Sequence, residues 1–158
     1  MRILLLTLFL LITSVAVSAQ DTVKVVVALA NSEITVEDIQ GIQAELDAKI
    51  YKGVKFRIGG VFHYVRPQFD AKCEVDTYSF GPSVSYSVFS GKVEFFGRGL
   101  FGVTTNYEGL NRFTRAYGVG VDVNLGHIVL RPFVIDRVRI EGAPVNFERY
   151  GAGVGVRF

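Results

Sequence analysis

Phe147-Glu148-Arg149-Tyr150-Gly151-Ala152-Gly153-Val154-Gly155-Val156-Arg157-Phe158 is the stretch that decides the fold. From Tyr150 onward it alternates without a break. Tyr150, Ala152, Val154, Val156 and Phe158 fall on one face, and Gly151, Gly153, Gly155 and Arg157 on the other. Successive side chains of a strand point to opposite faces, so this is a strand with one apolar side and one small or charged side. An aromatic residue closes it, where the end of a water-soluble domain usually frays into polar residues.

The other end of the chain carries a different pattern. Met1 and Arg2 give a short positive start, Ile3 to Ile12 is a nearly pure apolar run, and Val17-Ser18-Ala19 supplies small residues before Gln20. This arrangement predicts a cleaved secretory signal peptide over 1–19 and one domain over 20–158. The run is too short to cross a bilayer as a helix, which takes about 20 apolar residues.

Composition narrows the classes further. Lys and Arg number 17 against 15 acidic residues, so no strongly basic face is expected and nucleic acid is excluded as a partner. A single cysteine, Cys73, rules out an internal disulfide. Apolar residues make up 49% of the chain and glycine is frequent, at 17.

Working back from the terminal strand, the chain divides into segments of alternating hydrophobicity. Val23 to Ala30 is weakly two-faced, and Asn31 to Asp38 reads as a polar loop. Ile42, Ala44, Leu46, Ala48 and Ile50 alternate with Gln43, Glu45, Asp47 and Lys49. A helix competes there, because Ile39, Ile42, Leu46 and Ile50 also have helical spacing behind a capping box at Thr35–Asp38. Strict alternation favours a strand. Further strands follow over 54–66, 78–88, 93–103, 116–124 and 128–137. The clearest sets Tyr78, Phe80, Pro82, Val84, Tyr86 and Val88 against Ser79, Gly81, Ser83, Ser85 and Ser87. Pro82 and Pro132 cannot donate to a ladder and are expected to mark bulges.

The sum is eight strands. Short turns with glycine follow the second, fourth and sixth, and connections of roughly eight to ten residues join the others, a pattern described for membrane barrels with their turns in the periplasm. One face carries Glu45, Asp47, Arg57, Glu94, Arg98, Asp122, Arg131 and Arg137, with Arg157 in the last strand. An Arg facing lipid at mid-bilayer costs about 2–4 kcal/mol, so this face must point inward. An eight-stranded interior barely holds its own side chains, which accounts for the Ser and Gly between the charges. Aromatic residues cluster near both strand ends: Tyr51, Phe56, Phe89 and Phe158 on the turn side, Tyr64, Tyr78, Phe113 and Tyr150 on the loop side. Two such belts anchor a barrel at its interfaces. A soluble barrel would reverse the faces, overfilling its interior and leaving Gly and Ser strands in water.

The stretches YSFGPSVSYS, AYGVGVDVNLG, IVLRPFVIDRV and FERYGAGVGVRF together resemble the small outer-membrane barrels of the outer-membrane protein A and X type. The resemblance implies an all-β, eight-stranded antiparallel up-and-down transmembrane β-barrel in the cell outer membrane of a Gram-negative bacterium, preceded by the signal peptide. It also implies that Tyr150, Val154, Val156 and Phe158 form a C-terminal signal read by the barrel assembly machinery. The expected partners are outer-membrane lipid and, during biogenesis, that machinery and periplasmic chaperones; the barrel is expected to be a monomer.

Catalytic chemistry finds little support. His63 and His127 lie far apart, with no serine beside them at a recognisable spacing, no G-x-S-x-G elbow, and no phosphate loop before a helix. No enzyme, metal or cofactor is expected. Three roles remain: a structural barrel supporting envelope integrity with a lumen filled by polar and charged side chains, a narrow or gated pore for small solutes, and a surface adhesion or partner-binding barrel.

Overall fold

Period-two alternation recurs in eight segments, and each is a strand. The computed structural model describes residues 23–34, 37–52, 55–67, 76–105, 110–142 and 146–158. The signal peptide expected over 1–19, Gly53 and Cys73 lie outside the described residues. The strands are β1 (Val23–Ile34), β2 (Glu37–Lys52), β3 (Phe56–Pro67), β4 (Asp76–Val88), β5 (Val93–Thr105), β6 (Asn111–Leu125), β7 (Ile128–Ile140) and β8 (Phe147–Arg157). Each pairs antiparallel with its neighbour in sequence, and β1 pairs with β8, closing the barrel. Segment 39–50 is strand, as its strict alternation indicates and against its helical spacing.

Closure depends on small residues. Val25, Val27 and Leu29 of β1 face Val156, Val154 and Ala152 of β8 on the outer side; Val26 and Ala28 face Gly155 and Gly153 on the inner. A Cβ on Gly153 would run into the Val27 carbonyl and come within 2.7 Å of the Ala28 Cα. Glycine is therefore a packing requirement of this seam.

The polar segment Asn31 to Asp38 is the first correction. β1 runs on to Ile34 and β2 resumes at Glu37, with Ser32 opposite Ile39 and Glu33 opposite Asp38. Polar composition does not end a strand whose backbone groups can still pair. The remaining loop-end connections, 68–75, 106–110 and 141–146, are also at or below the lower end of the expected length. At the opposite end, Phe89–Gly91 forms a 3₁₀ turn, and Gly126 takes the left-handed conformation (φ 64°) that the two-residue β6–β7 turn needs. Asn124 Nδ2 donates to the Gly91 carbonyl at 2.9 Å, tying two turns together.

The two prolines differ. Around Pro132 the register shifts by one residue against both neighbours, between Val121 and Val123 on β6 and between Arg131 and Val134 on β7. This is a bulge, and it re-aims the strand. Before it, Val129 and Arg131 point inward; after it, Val134, Asp136 and Val138 do. Pro82 causes no such shift: pairing with β5 lapses at Gly81 and Pro82 and resumes in the same register at Ser83–Arg98. The expected bulge at Pro82 is thus absent.

The outer surface is apolar and the interior polar. Leu29, Phe56, Ile58, Phe80, Phe95, Val119 and Val154 are among the exposed large hydrophobics. On the turn side Phe56 pairs with Tyr86 (ring centroids 4.9 Å apart), and on the loop side Tyr64 pairs with Tyr78 at the same separation. Toward the loop end the interior holds an apolar cluster of Val61, Leu100, Ala116 and Val138. Near that end Thr104 also hydrogen-bonds both Thr77 (3.0 Å) and Thr114 (2.6 Å).

Candidate functional site

Alternation places charged residues of seven strands on the inner wall, and the narrow lumen forces them together. Starting at the turn side, Glu94 accepts from Lys24 Nζ at 2.7 Å and Arg57 Nη1 at 3.3 Å, with Lys49 Nζ at 3.6 Å. Lys49 also donates to Asp47 at 2.6 Å, whose other oxygen accepts from Ser83 at 3.1 Å. Lys24 reaches on to Asp122 at 3.2 Å. Arg131 then bridges Asp122 (Nε, 2.8 Å) and Glu45 (Nη1, 2.7 Å). Arg98 links Glu45 to Asp136, gripping the latter with Nε at 3.0 Å and Nη2 at 2.8 Å. Arg149 completes the chain on Asp136 at 2.8 Å.

The result is one connected network. Six cations (Lys24, Lys49, Arg57, Arg98, Arg131, Arg149) meet five carboxylates (Glu45, Asp47, Glu94, Asp122, Asp136). All eleven side chains are buried. Buried charge is tolerated only when paired and hydrogen-bonded, and the shared, forked contacts meet that condition. Phe96 adds a face: the Arg131 guanidinium lies 4.3 Å from its ring centroid and that of Arg98 lies 5.7 Å away. Such contacts favour Arg over Lys at these positions. Two β6 glycines make the space. A Cβ on Gly118 would strike the Asp136 carboxylate, and one on Gly120 would sit 2.5 Å from Phe96.

The structure brings together Glu45, Asp47, Arg57, Glu94, Arg98, Asp122 and Arg131, all expected on this wall. Two expectations are corrected. Arg137 is exposed on the outer face, because the bulge at Pro132 reverses the parity of the rest of β7. Arg157 lies at the turn-side rim, where its Nε donates to the Gly126 carbonyl at 2.6 Å. Four members were missed. Lys24 and Lys49 share parity with inward neighbours and were legible on that ground. Arg149 falls on the inward parity of β8, one residue before the alternation from Tyr150 begins. Asp136 enters only because of the bulge.

The expectation that no serine stands beside a histidine is also corrected. His63 and Ser79 are cross-strand partners, with Nδ1 and Oγ 3.3 Å apart. Both are buried on the inner wall, His63 completely. The pair therefore offers no nucleophile to a substrate outside the lumen.

Of the C-terminal set, Tyr150, Val154 and Val156 are exposed on the outer face and Phe158 is half-buried. The Phe158 backbone N–H donates to the Val23 carbonyl at 2.9 Å, so the main chain at this position completes the β1–β8 seam.

No protein-family model and no curated protein matches the sequence. Solved structures do match the fold. Neisserial surface protein A is 15% identical over 86% of this chain and 96% of its own, with a TM-score of 0.59. Ail, the attachment invasion locus protein of Yersinia pestis, is 14% identical over 87% and 97%, with a TM-score of 0.57. The outer membrane enzyme PagL is 14% identical over 85% and 99%, with a TM-score of 0.59. At such identity the likeness is one of fold: this chain is an eight-stranded barrel of the small outer-membrane type.

Proposed function

We propose that this outer-membrane-type barrel serves as a closed, non-catalytic structural element of the cell envelope, spanning the outer membrane as a monomer. The observation that carries the reading is the continuous ion-pair network through the lumen, capped by the apolar Leu100 cluster. The wide water-filled channel of a porin needs many more strands, and here the interior is occupied by the barrel's own side chains. Fold likeness alone does not select a role, since an attachment invasion protein and an enzyme share it. The connection of only two residues between β1 and β2 disfavours an adhesin built on long projecting loops.

Planar-bilayer recording on refolded protein tests this directly. Wild-type barrels are expected to insert without a sustained open level. A steady conductance like that of a large porin would overturn the closed-barrel reading in favour of a solute pore.

Biogenesis gives a second test. Tyr150, Val154, Val156 and Phe158 are proposed as the signal taken up by the barrel assembly machinery after chaperone-assisted passage through the periplasm. The backbone pairing of Phe158 with Val23 does not need the aromatic ring. Phe158→Asp is therefore expected to reduce assembly in cells severalfold while refolding in detergent changes little. Equal losses in both settings would reduce the ring to a packing role.

A further inference from the structure

The outer surface carries one feature that lipid alone does not explain. Arg115 of β6 lies directly opposite Arg139 of β7, and Arg137 lies opposite Tyr117, all four exposed. Like charges facing across a ladder destabilise it. Among the described residues, none of these three arginines is in an ion pair. Glu148, the β8 partner of Arg137, has its carboxylate on the Tyr150 hydroxyl at 2.6 Å. Arg112 lies close by and donates to the Glu141 carbonyl at 3.3 Å. Two grooves flank the pair. One of about 340 Å³ lies among Phe113, Arg115, Arg139, Ile140, Gly142 and the acidic Glu141, and one of about 300 Å³ among Arg115, Tyr117, Arg137, Arg139 and Asn146.

Height decides what can meet these charges. Arg115 is ten residues up from Leu125, at the turn end of β6. At a rise of about 3.3 Å per residue and a tilt of about 40°, that is roughly 25 Å, the height of the apolar band of such barrels. Arg115 and Arg139 thus sit at the upper rim, Arg137 lies just below them level with Tyr117, and the apolar Val119 and Val121 continue beneath. A guanidinium fork matches phosphate oxygens bidentately, and a group at this rim meets lipid headgroups.

We propose that Arg115, Arg137 and Arg139 form a binding site for the phosphates of a lipid headgroup in the leaflet at the loop end, its acyl chains lying along Tyr117 and Val119. The anion removes the repulsion between Arg115 and Arg139. This site presupposes the membrane-spanning barrel described above.

Native mass spectrometry of the detergent-refolded barrel tests it, with diphosphorylated lipid A and its fully dephosphorylated form as probes. Wild type is expected to retain lipid A at least tenfold more strongly than the dephosphorylated lipid. Arg115→Gln/Arg139→Gln is expected to lose that preference, while Arg66→Gln, an exposed loop-end arginine elsewhere on the barrel, keeps it. Equal retention of both lipids by wild type would overturn the proposal without need of any variant. So would an undiminished preference in the double variant. Heat-modifiable migration on gels, followed in parallel, separates the two readings: its loss in wild type would count against the barrel, and its persistence confines a negative result to the lipid site.

Discussion

Arg98→Ala is expected to destabilise the barrel by about 3 kcal/mol, the lower end of the range for breaking a buried pair. Arg98 is the only bridge between Glu45 and Asp136 in the network, and its removal leaves both carboxylates short of a donor inside the lumen. Arg131 still holds Glu45 and Arg149 still holds Asp136, which is why the upper end of the range is not expected. The opened volume lies beside Phe96 and just below the apolar Leu100 cluster, so a small conductance is expected to accompany the loss of stability. Arg66→Ala is the matching control. Its side chain is 45% exposed and 3.9 Å from Asp76, a surface pair of the kind worth about 0–1 kcal/mol. Urea titration of the refolded barrel in detergent, with bilayer recording on the same samples, reads both effects. An unchanged midpoint and a closed lumen in Arg98→Ala would mean that the network does not hold the barrel shut.

The second large effect is expected at the closing seam. Gly153→Leu places a branched side chain where even a Cβ collides with the Val27 carbonyl and approaches Ala28. The collision is with backbone, which no rotamer change relieves, so β8 must move away from β1 or leave the ladder. Separation of these strands would expose two unpaired edges within hydrocarbon, where unsatisfied backbone groups cost several kcal/mol each. Gly153→Leu is therefore expected to abolish the heat-modifiable folded band. Val154→Leu, one residue along on the outer face, is expected to leave it intact, since Val154 already lies exposed on that face. Folding of both variants alike would show that the seam can accommodate bulk and that parity does not control closure.

The contrast between these neighbouring positions shows what alternation conveys. Strand identity, the even strand number and the face of almost every residue follow from period two, because a pleated backbone has no other way to orient its side chains. Hence Ser79, Ser83, Ser85 and Ser87 are all buried as the sequence reading requires. Strand ends were less legible. Asn31 to Glu33 are polar yet paired, since a ladder that rises beyond the membrane can continue in water with any side chain.

β7 marks the limit. Its sequence, IVLRPFVIDRV, gives no sign of which residue absorbs the irregularity at Pro132. The proline can be recognised as a poor ladder member, but the one-residue shift is a property of its pairing with β6 and β8. That shift exchanges Arg137 for Asp136 in the lumen, giving Arg98 and Arg149 a shared carboxylate and setting Arg137 beside Arg139 on the outer wall.

By itself, then, the sequence determined that eight two-faced strands would close with charge inside and hydrocarbon outside, because facing Arg or Glu to lipid costs more than any rearrangement could recover. Only the tertiary structure decided which charges meet. Partners such as Arg131 and Glu45 are 86 residues apart in the chain, and their meeting depends on how far each strand is staggered against the next and where a bulge resets its parity. Those quantities belong to the closed sheet as a whole and to no single strand.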